Sequence, residues 1–300
     1  MSDLALSSIR AVDMPRLRHD LLAQLNRGSC DPQLARSTLR NDMVREFGRL
    51  HRADLFFVSA PMTELAGEAA RSLPDFQVQE QDLPSRCGFM FFEGALRDVA
   101  VTSDDGGQRD PVYACSWEVM EDQTARVGVR ACLYADAGAE WRASSRLGAS
   151  DRILRDLMKS PLSTPRTDYF WTFNGRKANE PTHPRDVSLA FEALRSVWLL
   201  MQQPLGEVAE AEFDHATVKR LRRARVKERP VRVITLRRPR GATSSAAGQE
   251  WHHQWIVRGH WRNHWHPKRQ VHRPIWIAPH VKGPEGAPML GGEKVYALKQ

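Results

Sequence analysis

Residues 53–58, ADLFFV, are a short apolar run that reads as a strand, and a helix follows at once. Ser59 suits an N-cap, Pro61 suits a first helical turn, and MTELAGEAARSL carries the helix to Pro74, which closes it. A strand that runs straight into a helix commits the chain to a mixed architecture. The rest of the sequence agrees. PRLRHDLLAQL places Leu17, Leu21, Leu22 and Leu25 on one helical face, Asn26-Arg27-Gly28 reads as a stop, and a second helix restarts after Asp31-Pro32 with Leu34, Leu39, Met43, Phe47 and Leu50 in phase. Two antiparallel helices over 15–50 are the simplest reading. Phe89–Phe92, 112–120 and 125–135 read as strands, the last two joined as a hairpin around Glu121, Asp122 and Gln123, and 102–110 is turn chemistry.

Further on, ASDRILRDLMKSP reads as a helix with Ile153, Leu154 and Leu157 inward, while Pro161, Pro165, Pro181 and Pro184 make 161–185 an irregular connection. From Asp186 an amphipathic helix buries Leu189, Phe191, Leu194, Val197, Trp198 and Met201, and a second helix is expected over 206–226. After Pro230 the pattern becomes β: VRVITLRR alternates, 239–250 has loop composition, and RPIWIAP (273–279) and KVYAL (294–298) are further short strands. The expected fold is α+β, with a helical and mixed N-terminal body over 1–185. A C-terminal part over 186–300 combines a helical pair with a small antiparallel β-sheet module of three or four strands.

Composition sets the outer limits. A chain of 300 residues has room for about two domains. Hydrophobic content of 41% with 27% charged residues excludes a mainly disordered chain and a polytopic membrane protein. Cys30, Cys87, Cys115 and Cys132 are widely spaced without a CxxC pair, which argues against a disulfide scaffold or a zinc ribbon. With no apolar span and no signal peptide at the start, the expected location is cytoplasmic, with reduced thiols.

Charge is divided sharply. Residues 219–300 hold 19 Lys+Arg and 4 Asp+Glu, leaving 25 and 32 for residues 1–218. The densest run, KRLRRARVKERPVRVITLRRPR from Lys219 to Arg240, carries eleven basic residues and one acid, Glu228. Charge runs are usually solvated helix faces, and cations near a helix C-terminus complement its dipole. Eleven positive charges in 22 residues also repel one another unless an anion neutralises them, and phosphate contacts need no sequence motif.

Between Trp251 and His280 lie five of the nine tryptophans and seven of the eleven histidines, interleaved with Arg258, Arg262, Lys268, Arg269 and Arg273. Tryptophan with arginine on a small sheet is what a single-strand platform needs: bases stack on the rings and guanidinium groups meet phosphates. The competing reading is that large rings build the core of a small sheet, and Trp255 and Trp276 fit that role. His264, His266 and His272 are the histidines that could converge across a loop, yet no metal site and no cofactor is assigned. A histidine-asparagine-histidine nuclease would need a helix here, which Pro267, Pro274 and Pro279 deny. No phosphate-loop, dinucleotide-binding or nucleophile-elbow motif occurs, and no catalytic residue is named.

The pattern W-x-V-x-GHWR followed by R-x-IWI-x-P-x-x-KG, Trp255 to Gly283, resembles a module of uncharacterised phage and plasmid proteins. Together with ADLFFV and with SLP and DLP ahead of GFMFFEGAL, it makes the chain similar to the type V-A anti-CRISPR proteins, which lower the messenger RNA of their target nuclease. The similarity spans 53–96 and 190–283. It implies a non-enzymatic mobile-element protein that acts against a host defence and carries over no active-site residue. The residues expected to meet nucleic acid, RNA favoured, are Arg220, Arg222, Arg223, Arg225, Arg237, Arg238, Arg258, Trp261, Arg262, Trp265 and Arg269. The alternative is a protein-interaction module that docks on a host or defence protein through the Trp/Arg-rich C-terminal surface.

Overall fold

The computed structural model describes residues 5–30, 38–76, 78–102, 109–121, 127–138, 160–163, 167–173, 185–237, 254–267 and 270–284. The chain is α+β. It divides into two compact units, Met1–Arg237 and Arg238–Gln300.

In the first unit the two expected N-terminal helices are present, α1 (Met14–Ser29) and α2 (Thr38–Arg52). Pro15 sits in the first turn of α1, and Leu17, Leu21 and Leu25 are buried along one face. α1 ends at Ser29, one residue past the expected stop, which closes on Gly28. Gly28 lies within α1, where a Cβ would fall 2.7 Å from the Met43 sulfur, so its smallness lets α1 and α2 approach. β1 (Asp54–Val58) runs into α3 (Ala60–Ala70) with Ser59 at the N-cap. The Ser59 hydroxyl does not cap the helix. Instead the Ala60 N–H donates to Glu93 Oε2 at 2.9 Å, so a carboxylate from a neighbouring strand occupies the positive end of the helix.

β2 (Cys87–Thr102), β3 (Arg109–Glu121) and β4 (Val127–Tyr134) follow, the last two paired antiparallel as the expected hairpin requires, with Glu121 opposite Val127. Gly94 and Ala95 both have positive φ, 80° and 61°, and the β2–β3 register shifts between Phe91 and Leu96. That is a bulge of the kind consecutive left-handed residues create. β5 (Thr167–Thr172) pairs with β4 inside the stretch read as irregular. Its flanking prolines lie outside the paired residues, and it forms a sheet edge, where fewer ladder bonds are required.

α4 (Arg185–Leu200) is the expected amphipathic helix. The helix expected over 206–226 is instead a strand, β6 (Gly206–Glu210), followed by α5 (His215–Arg223). GEVAE has no strong strand propensity; pairing with β7 (Val231–Leu236) decides its state. The seven strands form one mixed sheet in the order β5-β4-β3-β2-β1-β7-β6, in which β1 lies parallel to both β2 and β7 and the other pairings are antiparallel.

Both faces of this sheet are covered. Leu55, Phe57, Phe89 and Phe91 pack with Leu17, Leu21, Met43 and Leu50 of α1 and α2. Phe56 points the other way, to Trp117, which meets Trp198 of α4. α3 and α4 pack together on that face against β2. This explains why ADLFFV shows no polar alternation. It also corrects the expected boundary at 185: α4, β6, α5 and β7 complete the first unit because Phe191, Leu194, Val197 and Trp198 bury against its sheet.

The second unit holds two antiparallel two-stranded ladders, β9 (His260–His266) with β10 (Val271–Ile277) and β8 (Trp255–Val257) with β11 (His280–Lys282). The expected single small sheet with VRVITLRR as a member is therefore replaced: β7 belongs to the large sheet, parallel to β1. The helix expected at 149–161 falls largely outside the described residues, and the loop at 239–250 and KVYAL fall wholly outside them.

Candidate nucleic-acid interface

α5 begins where the Asp214 side chain accepts from the Thr217 N–H at 2.7 Å, which holds the Asp214 carboxyl below its usual range. Thr217 and Leu221 face inward, leaving Lys219, Arg220, Arg222 and Arg223 exposed. The helix ends in a Schellman turn. The Val226 N–H donates to the Leu221 carbonyl at 2.9 Å and the Arg225 N–H to the Arg222 carbonyl at 3.0 Å, while Arg225 takes φ 55°, a position usually filled by glycine. Buried Val226 and Leu221 supply the apolar contact that accompanies such turns.

The arginines of this run do not share one task. Arg220 sits 2.7 Å from the buried carboxylate of Asp13 and anchors α5 to the N-terminal turn. Arg222 lies 3.7 Å from Glu228, both side chains largely exposed, a contact worth little in water. For Arg223 no carboxylate partner occurs among the described residues. His215, Lys219, Arg222 and Arg223 line a shallow trough along α5 with Ala216 and Val218 and no acid. Arg237 is exposed just beyond β7. Arg238 and Arg269 lie outside the described residues.

In the second unit the β9–β10 register separates side chains that sequence proximity joins. Residues directly opposite one another share a face. Trp261, Asn263 and Trp265 therefore stand with Trp276, Pro274 and His272, and His260, Arg262, His264 and His266 stand with Ile277, Ile275, Arg273 and Val271. Trp261 meets Trp276 edge-on at 5.3 Å, and Trp276 is buried as expected. Gly259 makes that packing possible, since a Cβ there would fall 2.5 Å from the Trp276 ring. Trp265 is 45% exposed and lies 4.9 Å from the His272 ring. Arg262 does not share the tryptophan face with Trp261 and Trp265, because neighbours along a strand point to opposite sides. Arg258 is exposed in the segment between β8 and β9.

The same register divides the histidines. His264 and His266 have ring centroids 5.1 Å apart on one face, whereas His272 is on the other. Among the described residues no three of His, Cys, Asp and Glu come together as a metal site would require.

One polar cluster was invisible in the sequence. Beneath the sheet, Glu46 and Arg49 of α2 are both buried, with Arg49 Nη1 2.7 Å from Glu46 Oε2. Arg49 also donates to Ser116 Oγ at 3.2 Å and to Cys132 Sγ at 2.9 Å, and Tyr134 and Ser116 donate their hydroxyls to Glu46 Oε1. Burial opposes the charge on Arg49, but Glu46 and its neighbours hold the guanidinium well above its ordinary value. Burial and the Glu46 carboxylate push the Tyr134 hydroxyl and the Cys115 thiol up, and burial with Glu118 pushes Cys87 up to about 11. Thiols held protonated in this way are poor nucleophiles. The only outward sign was a Glu–Arg pair three residues apart on the apolar side of a helix. None of the four cysteines forms a disulfide; Cys30 is exposed, and Cys115 and Cys132 are buried. A thiol reagent at mildly alkaline pH is therefore expected to titrate Cys30 rapidly in the native protein and the other three after unfolding. Rapid modification of Cys115 or Cys132 in the folded chain would contradict this arrangement.

Comparison with known proteins adds no identity: no protein-family model matches the chain, and no curated protein matches it.

Proposed function

We propose that the protein binds nucleic acid, single-stranded RNA favoured, through exposed cations at α5 and the exposed Trp265 ring of the β9–β10 ladder. The observation that carries this reading is the trough of His215, Lys219, Arg222 and Arg223, which no acid lines, whereas Arg49, Arg195 and Arg220 each meet a carboxylate. Phosphate is the anion best suited to such a surface, since charge alone provides affinity and no base contact is needed. The preference for single strands rests on Trp265 with His272. Exposed rings stack on bases that a duplex keeps paired, at about 1–3 kcal/mol per base. Arg220 is left out of the contact set because Asp13 holds it. The resemblance of Trp255–Gly283 to phage and plasmid modules extends the reading to a mobile-element protein directed against a host defence.

Fluorescence anisotropy with labelled single-stranded RNA, single-stranded DNA and duplex DNA at several salt concentrations tests it. Affinity is expected to fall steeply with salt, with a log–log slope of about −0.7 per neutralised phosphate on single strands. Arg222→Ala with Arg223→Ala is expected to make that slope shallower by roughly 1.4. Trp265→Ala is expected to weaken single strands more than duplex. Binding that stays flat from low to high salt defeats the proposal, and no binding at low salt reassigns the basic surface to an acidic protein partner.

A further inference from the structure

Behind the basic helix lies a second and more enclosed feature. A cleft of about 360 Å³ opens between α1, the end of α2 and the segment that leaves α5. Its polar lining is Arg18, His19, His51, Arg225, Lys227 and Arg229, and no carboxylate lines it. Pro15, Leu22 and Val226 form its apolar wall. These residues come from three separate stretches of chain, so neither the charge run nor the helix pattern reveals the site.

Two of the arginines have a structural role that accounts for part of their charge. Arg18 donates from Nε to the Leu50 carbonyl at 2.6 Å and from Nη2 to the His51 carbonyl at 2.7 Å. Arg229 donates to the carbonyls of Ala53 at 3.2 Å and His51 at 3.0 Å. Together they close the C-terminal end of α2, whose carbonyls carry only about half a negative charge. Each guanidinium has five N–H donors, so both retain donors after these bonds. Arg225 and Lys227 have no carboxylate partner among the described residues, and Arg225 occupies a left-handed position that glycine fills more easily. Four cations thus line a cleft whose own walls hold no carboxylate, while Lys227 and Arg229 also border a neighbouring cavity with Asp54, Glu210 and Glu228. The field is felt by its most buried member: burial, and then the like charge of Arg229, push Arg18 down to about 10.

We propose that this cleft binds a phosphate monoester, carried on the end of a nucleic-acid strand or on a free nucleotide. The chemistry selects this ligand over the internal phosphodiester of a strand. A monoester is a dianion near neutral pH with three terminal oxygens, which suits several converging donors. An internal diester carries one charge and must continue on both sides, whereas this cleft is walled by apolar side chains. Its volume is at the low end of the roughly 300–1,000 Å³ typical of ligand sites, room for a nucleotide and not for a polymer groove. As a terminal-phosphate site the cleft deepens the nucleic-acid reading and rests on it; as a nucleotide site it does not.

The test uses the full chain and one short single-stranded RNA made with a 5′-phosphate, with a 3′-phosphate and with hydroxyls at both ends. Adenosine 5′-monophosphate and inorganic phosphate serve as free ligands. The expected result is at least about tenfold tighter binding of one phosphorylated strand over the hydroxyl strand at the same salt, a charge-assisted gain. Arg225→Gly, which relaxes the backbone while removing the cation, and Lys227→Ala should each reduce that ratio. Equal affinity for all three strands, with no change in melting temperature on adding either free ligand, overturns the inference while leaving salt-dependent strand binding intact. If no strand binds at low salt but the nucleotide raises the melting temperature of the native chain and not of Arg225→Gly with Lys227→Ala, the nucleic-acid reading fails and the cleft stands as a nucleotide site. If neither strands nor free ligands bind, both fall.

Discussion

Replacing Arg49 by alanine will cost about 3–5 kcal/mol of folding free energy, read as a shift of the urea unfolding midpoint at neutral pH. Its side chain is 2% exposed and meets Glu46, which is equally buried. The contact to Glu46 Oε2 is close but poorly aligned for a hydrogen bond, as is the 3.4 Å approach of Nε to Glu118. Its strength is therefore chiefly coulombic. Removing the guanidinium leaves the Glu46 carboxylate in a dry site with only the hydroxyls of Tyr134 and Ser116 as donors. It also strips the donor from Ser116 Oγ and Cys132 Sγ. Tyr134→Phe, which removes one donor and no charge, should cost less, about 1.5–3 kcal/mol. If Arg49→Ala unfolds at the native midpoint, the buried ion pair is not what secures α2 to the sheet.

Trp117→Ala should be of similar size, about 3–5 kcal/mol, for a different reason. Trp117 is fully buried in β3 and fills the space between sheet and helix on the face opposite Arg49. Its ring lies 5.4 Å from Phe56 of β1 and 5.4 Å from Trp198 of α4, and its Nε1–H donates to the Ser85 carbonyl at 2.9 Å. Across the ladder stands Gly88, where a Cβ would fall 2.2 Å from the ring, so the sheet is built around this indole. Alanine would leave a large cavity and an unpaired carbonyl together. Thermal unfolding followed by circular dichroism measures the loss; a melting temperature within a few degrees of the native protein would mean that α4 collapses to fill the gap. Because the two sites lie on opposite faces and share no partner, their effects should add in the double variant.

Much of the first unit could be read from local pattern. α1, α2, β1, α3, the β3–β4 hairpin and α4 each carry their periodicity within one segment, and the structure has all of them. β5 and β6 were missed for the same reason in reverse. TDYFWT is hidden between prolines and GEVAE has no strong strand preference, so their state depends on the neighbour each edge strand finds. The strand over 231–236 was legible as a strand, yet its place was not: it pairs parallel with Leu55–Val58, a choice no local pattern contains.

The candidate sites follow the same division. That the basic residues of 219–223 would be exposed on a helix is a property of the sequence, because so many like charges cannot be buried together. That Arg220 would be taken by Asp13, 207 positions away, is not. Nor is the separation of Arg262 from Trp261 and Trp265, which the strand pleat imposes once 260–266 pairs with 271–277. The buried Glu46–Arg49 group draws its partners from 67 to 88 positions away, and the cationic cleft gathers residues from both ends of the first unit. By itself the sequence determined hydrophobic period, turn chemistry and the sign of each region's charge, since these are set by residues close together in the chain. Which faces meet, which charges are neutralised and which remain to receive an anion were decided only by the tertiary structure. Desolvation and coulombic energy depend on distances in space, and chain position does not specify those distances.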